Sequence, residues 1–129
     1  MNLLNFNLVV NKKDKLEKYF NKLSRFTLQD SKFKVIIDLP NHFNFNENDK
    51  MKLVIRDGLD KTADISQYGD IDYNHKILKK YKYVLYGKVY NIDNDILAIS
   101  CGGLIVCVFG KISNLDKFYI KQDLFILIN

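Results

Sequence analysis

The amino-acid sequence predicts an all-β fold, a closed antiparallel β-barrel or a sandwich of about eight strands. Along most of the chain, apolar and polar residues alternate with the period of two that is typical of strands. Nine phenylalanines and eight tyrosines supply side chains that favour a pleated, half-buried surface. Glycine and Asp/Asn turn signals separate the alternating segments, and helical spacing occurs in one short stretch.

The length and composition indicate one domain that spans residues 1–129. Hydrophobic residues make up 47% of the chain, which is enough for a core without disulfide staples. Asn5 and Asn7 interrupt the apolar N-terminus and no basic region precedes them, so no signal peptide is expected. No apolar run approaches the roughly 18 residues of a membrane span. Because there are also only two cysteines, we expect a reducing compartment, the cytosol or the nucleus.

Four alternating segments predict strands in the first half of the chain. They cover residues 4–10, 20–28, 33–39 and 50–56. The last is the most regular, since Met51, Leu53 and Ile55 share one parity and charged residues take the other. Pro40 ends the third strand because proline has no N–H to donate to a ladder. The alternation is then lost, and residues 57–80 are predicted to form an irregular loop.

The second half contains four more predicted strands, the first three of them arranged as a meander. They cover residues 81–92, 96–101, 104–109 and 124–128. Gly102 and Gly103 fit a two-residue hairpin turn because glycine reaches positive φ without strain. The strand Leu104–Phe109 is apolar throughout, which predicts burial on both of its faces. Ser113 and Asp116 match the pattern of a helix start, so one short helical turn beginning at Ser113 is predicted there.

The residue types that catalyse reactions or bind metals lie in no recognisable constellation. A zinc site needs four ligands at short paired spacings, and the chain has no such pair. The candidate ligands are His42, His75, Cys101 and Cys107. No serine lies in a nucleophile elbow, and the paired glycines lack the third glycine and the lysine of a phosphate-binding loop. We therefore expect no catalytic residue, no metal, no cofactor and no small-molecule substrate.

The charge leaves nucleic-acid binding open. The net charge is +5 and the pI is about 9.1, but the lysines are spread along the chain rather than gathered in one stripe. Tyrosines and lysines interleave over residues 81–90, as on a surface that stacks bases. A strand with tyrosines in the core and lysines in water produces the same pattern. On residue pattern alone, both interpretations stand.

Three segments together resemble the eighth subunit of eukaryotic nuclear RNA polymerases, which polymerases I, II and III share. The segments are Tyr83–Tyr90 (Tyr-Val-Leu-Tyr-Gly-Lys-Val-Tyr), Cys101-Gly102-Gly103-Leu104 and Asp123–Ile128. In the first half, Phe20–Phe26, Phe33–Asp38 and Asp49–Ile55 resemble earlier strands of the family at the right spacing. The chain departs from the family at Cys101, where an aromatic residue is usual, and in a shorter, less acidic loop over residues 57–80.

The resemblance implies an OB-type barrel and a non-catalytic assembly subunit of the nuclear polymerases. It implies docking on the largest polymerase subunit, little or no direct contact with nucleic acid, and a location in the nucleus, including the nucleolus if polymerase I contains the chain. We expect the contact on the Tyr81–Cys101 hairpin and its glycine turn, where backbone can approach a partner closely. The candidate contact residues are Tyr86, Gly87, Lys88, Tyr90, Gly102, Gly103 and Leu104. The alternative is a free-standing OB-fold protein that binds single-stranded nucleic acid.

Overall fold

The computed structural model describes residues 2–15, 23–57 and 80–129. Within these ranges the chain forms eight strands and one 3₁₀ turn, Leu115–Lys117. The strands are β1 (Asn2–Lys15), β2 (Leu23–Gln29), β3 (Lys34–Pro40), β4 (Lys50–Arg56), β5 (Tyr83–Asp93), β6 (Ile96–Cys101), β7 (Leu104–Phe109) and β8 (Asp123–Ile128). No helix in the described ranges is long and apolar enough to cross a membrane.

The eight strands close into an antiparallel barrel in the order β1-β2-β3-β7-β6-β5-β8-β4. β1 closes it, because its first half pairs with β4 and its second half pairs with β2. The register with β2 shifts between Val10 and Lys12, an irregularity of the kind that bends a strand. β5, β6 and β7 form the expected meander. The predicted all-β barrel is confirmed.

Alternation along the strands fills the barrel with one large apolar cluster. In β4, Met51, Leu53 and Ile55 are buried as predicted, and Lys50 and Lys52 on the opposite parity are exposed. The same parity rule buries Phe26 and Leu28 of β2. Burial of this cluster is the main stabilising contribution, at roughly 25 cal/mol per Å² of apolar surface.

A second, smaller apolar cluster lies on the outer face of the barrel. Val54 of β4 and Phe125 and Leu127 of β8 are buried there, on the parity opposite to Ile55 and Ile126. The partly buried residues packed against it are Tyr81, Val84 and Tyr86. β8 is therefore buried on both faces.

The prediction that β7 is buried on both faces is wrong. Val106 and Val108 point inward and are fully buried, whereas Ile105 and Cys107 on the outer face are only partly buried. An all-apolar segment does not require two buried faces, because folded proteins keep many apolar atoms at their surface.

The predicted helical turn forms, but it does not begin at Ser113. It is a 3₁₀ turn with Asn114 in the N-cap position, and no side chain caps it. The Asn114 Nδ2 group instead donates to the carbonyl oxygen of Leu3 at 2.8 Å. A contact with β1, rather than local capping chemistry, therefore positions this turn.

Strand boundaries differ from the predicted ones mainly where polar residues continue a ladder. β1 extends past the predicted residues 4–10 because its polar C-terminal part pairs with β2. A run of polar side chains gives no sequence signal for this pairing. Of the strand predicted over 20–28, residues 20–22 lie outside the described ranges. The loop predicted over 57–80 also lies outside them, apart from its two end residues.

Candidate partner-contact surface

The glycine turn between β6 and β7 is the two-residue hairpin that the sequence predicts. Cys101 pairs with Leu104 across it, and Gly102 and Gly103 have φ of 59° and 93°. Most side chains are strained at such angles. Both glycines are exposed, and nothing lies within 4 Å of the position that a Cβ would occupy on either. The turn therefore presents bare backbone, while Leu104 packs against the core.

Gly87 lies beside this turn but is buried. A Cβ on Gly87 would lie 2.5 Å from the carbonyl oxygen of Ser100 and 2.5 Å from the Sγ atom of Cys101. Real Cβ atoms do not approach other heavy atoms so closely. Glycine is therefore needed for β5 and β6 to pack here, and packing between strands accounts for Gly87.

Tyr86 and Lys88 meet Asp123 on the outer face of the barrel. The Tyr86 hydroxyl donates to Oδ1 of Asp123 at 2.5 Å, and the Lys88 ammonium donates to the same oxygen at 2.7 Å. The hydrogen bonds from Lys88 and Tyr86 lower the pKa of Asp123. Burial and the hydrogen bond to Asp123 raise the pKa of Tyr86 to about 12. Sequence reasoning missed this group because it depends on the pairing of β5 with β8.

Tyr90 lies further along β5, with 49% of its surface exposed. Its hydroxyl is 3.9 Å from the Sγ atom of Cys107. Burial of the hydroxyl and its contact with Cys107 raise the pKa of Tyr90. Cys107 pairs with Ala98 and Ile36, so Tyr90 leans over the outer face of β6 and β7. Along β7, the Tyr90 hydroxyl therefore lies beside Cys107, three residues from Leu104 at the glycine turn.

The other two tyrosines of β5 are engaged in packing. The Tyr83 ring stacks on Phe43, with 3.8 Å between ring centroids and 15° between ring planes. Tyr86 packs at a tilt against Phe125, with 5.5 Å between centroids. Base stacking requires free ring faces. The arrangement therefore favours the packing interpretation for Tyr83 and Tyr86.

Among the described residues, His42, Cys101 and Cys107 belong to no group that could hold a metal ion. Within the described ranges, no three His, Cys, Asp or Glu side chains are grouped as metal ligands. Cys101 is buried, which raises the pKa of its thiol to about 12 and keeps it protonated. His42 contacts the Phe43 ring edge-on, with 5.0 Å between centroids, and His75 lies outside the described ranges.

Comparison with known proteins identifies the family. The model of a family described as RNA polymerase Rpb8 matches residues 6–129. The chain belongs to the RNA polymerase Rpb8 family. It is also similar to two nematode proteins, from Caenorhabditis elegans and Caenorhabditis briggsae, each named "Probable DNA-directed RNA polymerases I, II, and III subunit RPABC3". Each is 32% identical over 124 residues, covering 85% of this chain and 83% of the relative.

The Rpb8-family resemblance drawn from three sequence motifs is thus confirmed. The structure adds that these motifs are neighbours in space. Tyr83–Tyr90 lies in β5, Asp123–Ile128 forms β8 on one side of it, and the glycine turn ends β6 on the other side. The Rpb8-like residues of the second half are therefore concentrated on one side of the barrel.

Proposed function

We propose that this chain is a non-catalytic assembly subunit of nuclear DNA-directed RNA polymerases I, II and III. The observation that carries the proposal is the Rpb8-family match over residues 6–129. The names of the two nematode relatives, which describe subunits of all three polymerases, support it. On this proposal the protein works in the nucleus, and in the nucleolus as part of polymerase I.

An assembly role fits the side chains that the described residues present. Phosphoryl transfer by a polymerase depends on metal ions held by grouped carboxylates. The described part of the chain contains no group of three metal-ligating side chains, and its two cysteines belong to the packing of β6 and β7. In this proposal the chain contributes a folded surface and the large subunits contribute the chemistry.

We further propose that the largest polymerase subunit docks where β5 runs past the end of β6. β5 pairs with β8 from Tyr83 to Lys88, but its ladder with β6 begins only at Lys88. Of the described strands, none pairs with the preceding stretch, residues 83–87, on the side away from β8. That stretch ends beside the glycine turn.

The direction of the backbone groups supports a contact of this kind. Val89 exchanges hydrogen bonds with residues 121 and 122, so its N–H and C=O point toward β8. In an antiparallel strand these directions alternate, which turns the groups of Val84 and Tyr86 the other way, toward the glycine turn. An extended segment of a partner adds to an edge of this kind through main-chain hydrogen bonds. Bare backbone at Gly102 and Gly103 would let such a segment approach.

Nucleic-acid binding is the second candidate, and the side chains favour it less. Two of the three β5 tyrosines are packed against other rings. Of the two lysines within residues 81–90, Lys82 and Lys88, the second is paired with Asp123. A sequence-independent nucleic-acid surface needs free aromatic faces and free cations together. We therefore propose that direct contact with nucleic acid is slight or absent.

Salt dependence tests the proposal. A tagged copy is purified from native extract in about 50 mM and about 200 mM salt, and the chains that co-elute are identified. Phosphate-led binding would weaken about 10³–10⁵-fold over this interval, whereas a docked subunit stays with the large polymerase chains. Elution of this chain alone, with tight and salt-sensitive binding to single-stranded oligonucleotides, would refute the proposal.

A variant on β4, which β8 separates from β5, supplies the matched control. Lys50→Gln combined with Lys52→Gln removes two exposed charges from β4. If the chain is a docked subunit, this variant co-elutes like the parent. If it binds nucleic acid through these lysines, the slope of log affinity against log salt falls by about one for each lost phosphate contact.

A further inference from the structure

The segment that leads into β8 exposes two adjacent large apolar side chains. Tyr119 and Ile120 are 64% and 51% exposed, the two highest values among the large apolar residues of the described ranges. Their neighbour Phe118 is buried in the core. Contiguous exposed apolar surface rimmed by polar residues is typical of protein interaction sites.

A buried glutamine holds this framework. Gln122 is 5% exposed, and its Oε1 accepts a hydrogen bond from the backbone N–H of Tyr119 at 3.1 Å. Its Nε2 donates to the carbonyl oxygen of Lys117 at 3.2 Å, and its backbone N–H donates to the carbonyl of Tyr119 at 3.1 Å. Three hydrogen bonds therefore hold the four-residue turn Tyr119–Gln122 in one conformation without a partner, and a preorganised turn lowers the entropic cost of binding.

The turn is also tied to β5 and contains a strained lysine. The Lys121 N–H donates to the Val89 carbonyl at 2.7 Å, and the Val89 N–H donates to the Gln122 carbonyl at 3.0 Å. Lys121 has φ of 69° at the third position of the turn, where type II turns favour glycine. A lysine is strained there, and glycine would relieve the strain. The chain thus keeps a positive charge next to Ile120 at a cost in backbone strain.

We propose that Tyr119 and Ile120 insert into an apolar groove, rimmed by Asp and Glu side chains, on a neighbouring chain of the polymerase. Charge complementarity argues for the acidic rim. The exposed residues Lys117 and Lys121 flank the apolar pair on both sides. The carboxylate of Asp123, next to the turn, is already paired with Lys88. The next acidic residue in sequence is Asp116, and the net charge of the whole chain is +5.

This inference rests on the proposed polymerase role but concerns another surface. β5 separates the two sites, since the Tyr119–Gln122 turn lies on its β8 side and the glycine turn lies on its β6 side. The two contacts are therefore separable by mutation. The first contact uses the β5 edge beside the glycine turn. The second uses the apolar pair Tyr119 and Ile120, which Lys117 and Lys121 flank.

The test compares variants of the full chain in the purified polymerase. Tyr119→Ser combined with Ile120→Ser removes the apolar pair, and Val9→Ser is the matched control, because Val9 is an exposed apolar residue, 42% exposed, on β1. We expect the double variant to be retained on the polymerase at least about tenfold less than the parent at 200 mM salt, and Val9→Ser to be retained like the parent. Both variant chains should melt within about two degrees of the parent, since exposed positions contribute little to stability.

Charge is tested at Lys121 in the same assay. Lys121→Glu should weaken retention about tenfold at 50 mM salt, with a deficit that shrinks as salt screens the repulsion, whereas Lys121→Gly should fold at least as well as the parent. A photo-crosslinker at position 120 should join a partner segment that contains Asp or Glu. Retention of the Tyr119/Ile120 variant at the parental level, a salt-independent Lys121→Glu defect, or a crosslinked segment without carboxylates would overturn the inference. If the Tyr119/Ile120 variant is retained at the parental level, this inference fails but the proposed polymerase role still stands. If the parent chain itself does not co-purify with the polymerase, both the inference and the proposed role fail.

Discussion

The Cα atom of Gly87 faces β6 so closely that a Cβ on it would lie 2.5 Å from the Sγ atom of Cys101. The carbonyl oxygen of Ser100 would lie equally close, and a backbone atom in a ladder cannot move aside as a flexible side chain can. This approach brings the Tyr83–Tyr90 motif against the residue that begins the glycine turn. Two of the three Rpb8-like motifs thus depend on one steric relationship.

We predict that Gly87→Ala lowers the free energy of unfolding by about 3 kcal/mol, in the upper range for overpacking a close-packed site. Urea denaturation followed by circular dichroism measures the change. Adding Cys101→Ala removes the Sγ contact but leaves the Ser100 carbonyl in place, so the double variant should recover little or none of the loss.

Gly102→Ala is the matched control for Gly87→Ala. Its Cβ meets open space, and its cost comes only from the positive φ of 59°, about 1 kcal/mol. Equal losses for the two variants, or a Gly87→Ala loss below about 0.5 kcal/mol, would contradict a steric role for Gly87.

Gly103→Val should destabilise the chain through backbone strain. Gly103 has φ of 93° and nothing within 4 Å of its Cβ position, so no clash contributes. We expect a loss of about 2 kcal/mol for the β-branched valine and less than about 1 kcal/mol for Gly103→Asn, because asparagine tolerates positive φ better. A valine variant that melts within a degree of the parent would show that the turn tolerates other angles.

The period-two alternation was enough to predict an all-β fold, a barrel or a sandwich, since it reports which side of each strand meets the core, and the family resemblance implied the barrel. It found β4 with its inward residues and the β5-β6-β7 meander, whose short turns leave little choice of partner. It also indicated the turn at Gly102 and Gly103 correctly, because paired glycines between two apolar strands are typical of a tight hairpin.

Features that depend on pairing between distant strands could not be predicted in this way. The meeting of Tyr86, Lys88 and Asp123 requires β5 to lie beside β8, and alternation gives no information about that order. The strand buried on both faces was misassigned for the same reason, since the outer apolar cluster covers β8 rather than β7. The candidate contact residues remain a prediction, and Gly87 within them is accounted for by packing.

The ion pair of Arg25 and Asp38 offers a test of polar burial. Arg25 Nε and Nη2 donate to the two carboxylate oxygens of Asp38 at 2.7 Å and 3.1 Å. The Asp38 side chain is 6% exposed and that of Arg25 is 41% exposed. Arg25→Gln should cost about 1–3 kcal/mol, because it leaves a buried carboxylate without its cation, while partial exposure of Arg25 keeps the loss below that of a fully buried pair.

A double-mutant cycle isolates this pair. Replacing both residues with leucine should cost less than Arg25→Leu alone, since no buried charge is left unpaired. Chemical denaturation of the parent, Arg25→Leu, Asp38→Leu and the double variant gives the coupling energy, and a value below about 0.5 kcal/mol would show that the two residues act independently.

The lowered pKa of Asp123 predicts how the Tyr86–Asp123–Lys88 group responds to pH. An aspartate whose folded pKa lies below its unfolded value of about 3.9 stabilises the fold above that pH, and the contribution is lost as pH falls through the folded pKa. The stability contribution of Tyr86 depends on pH in the opposite direction, because the pKa of Tyr86 is raised to about 12. This contribution is present below about pH 10 and is lost as pH rises toward 12. Asp123→Asn should therefore lower the free energy of unfolding by a small, constant margin between about pH 5 and 9. The margin should be at most about 1 kcal/mol, since the ion pair of Lys88 and Asp123 is half-exposed. The margin should shrink below about pH 4. A margin that stays unchanged down to pH 2 would show that the carboxylate charge of Asp123 contributes nothing and that only the shape of its side chain matters.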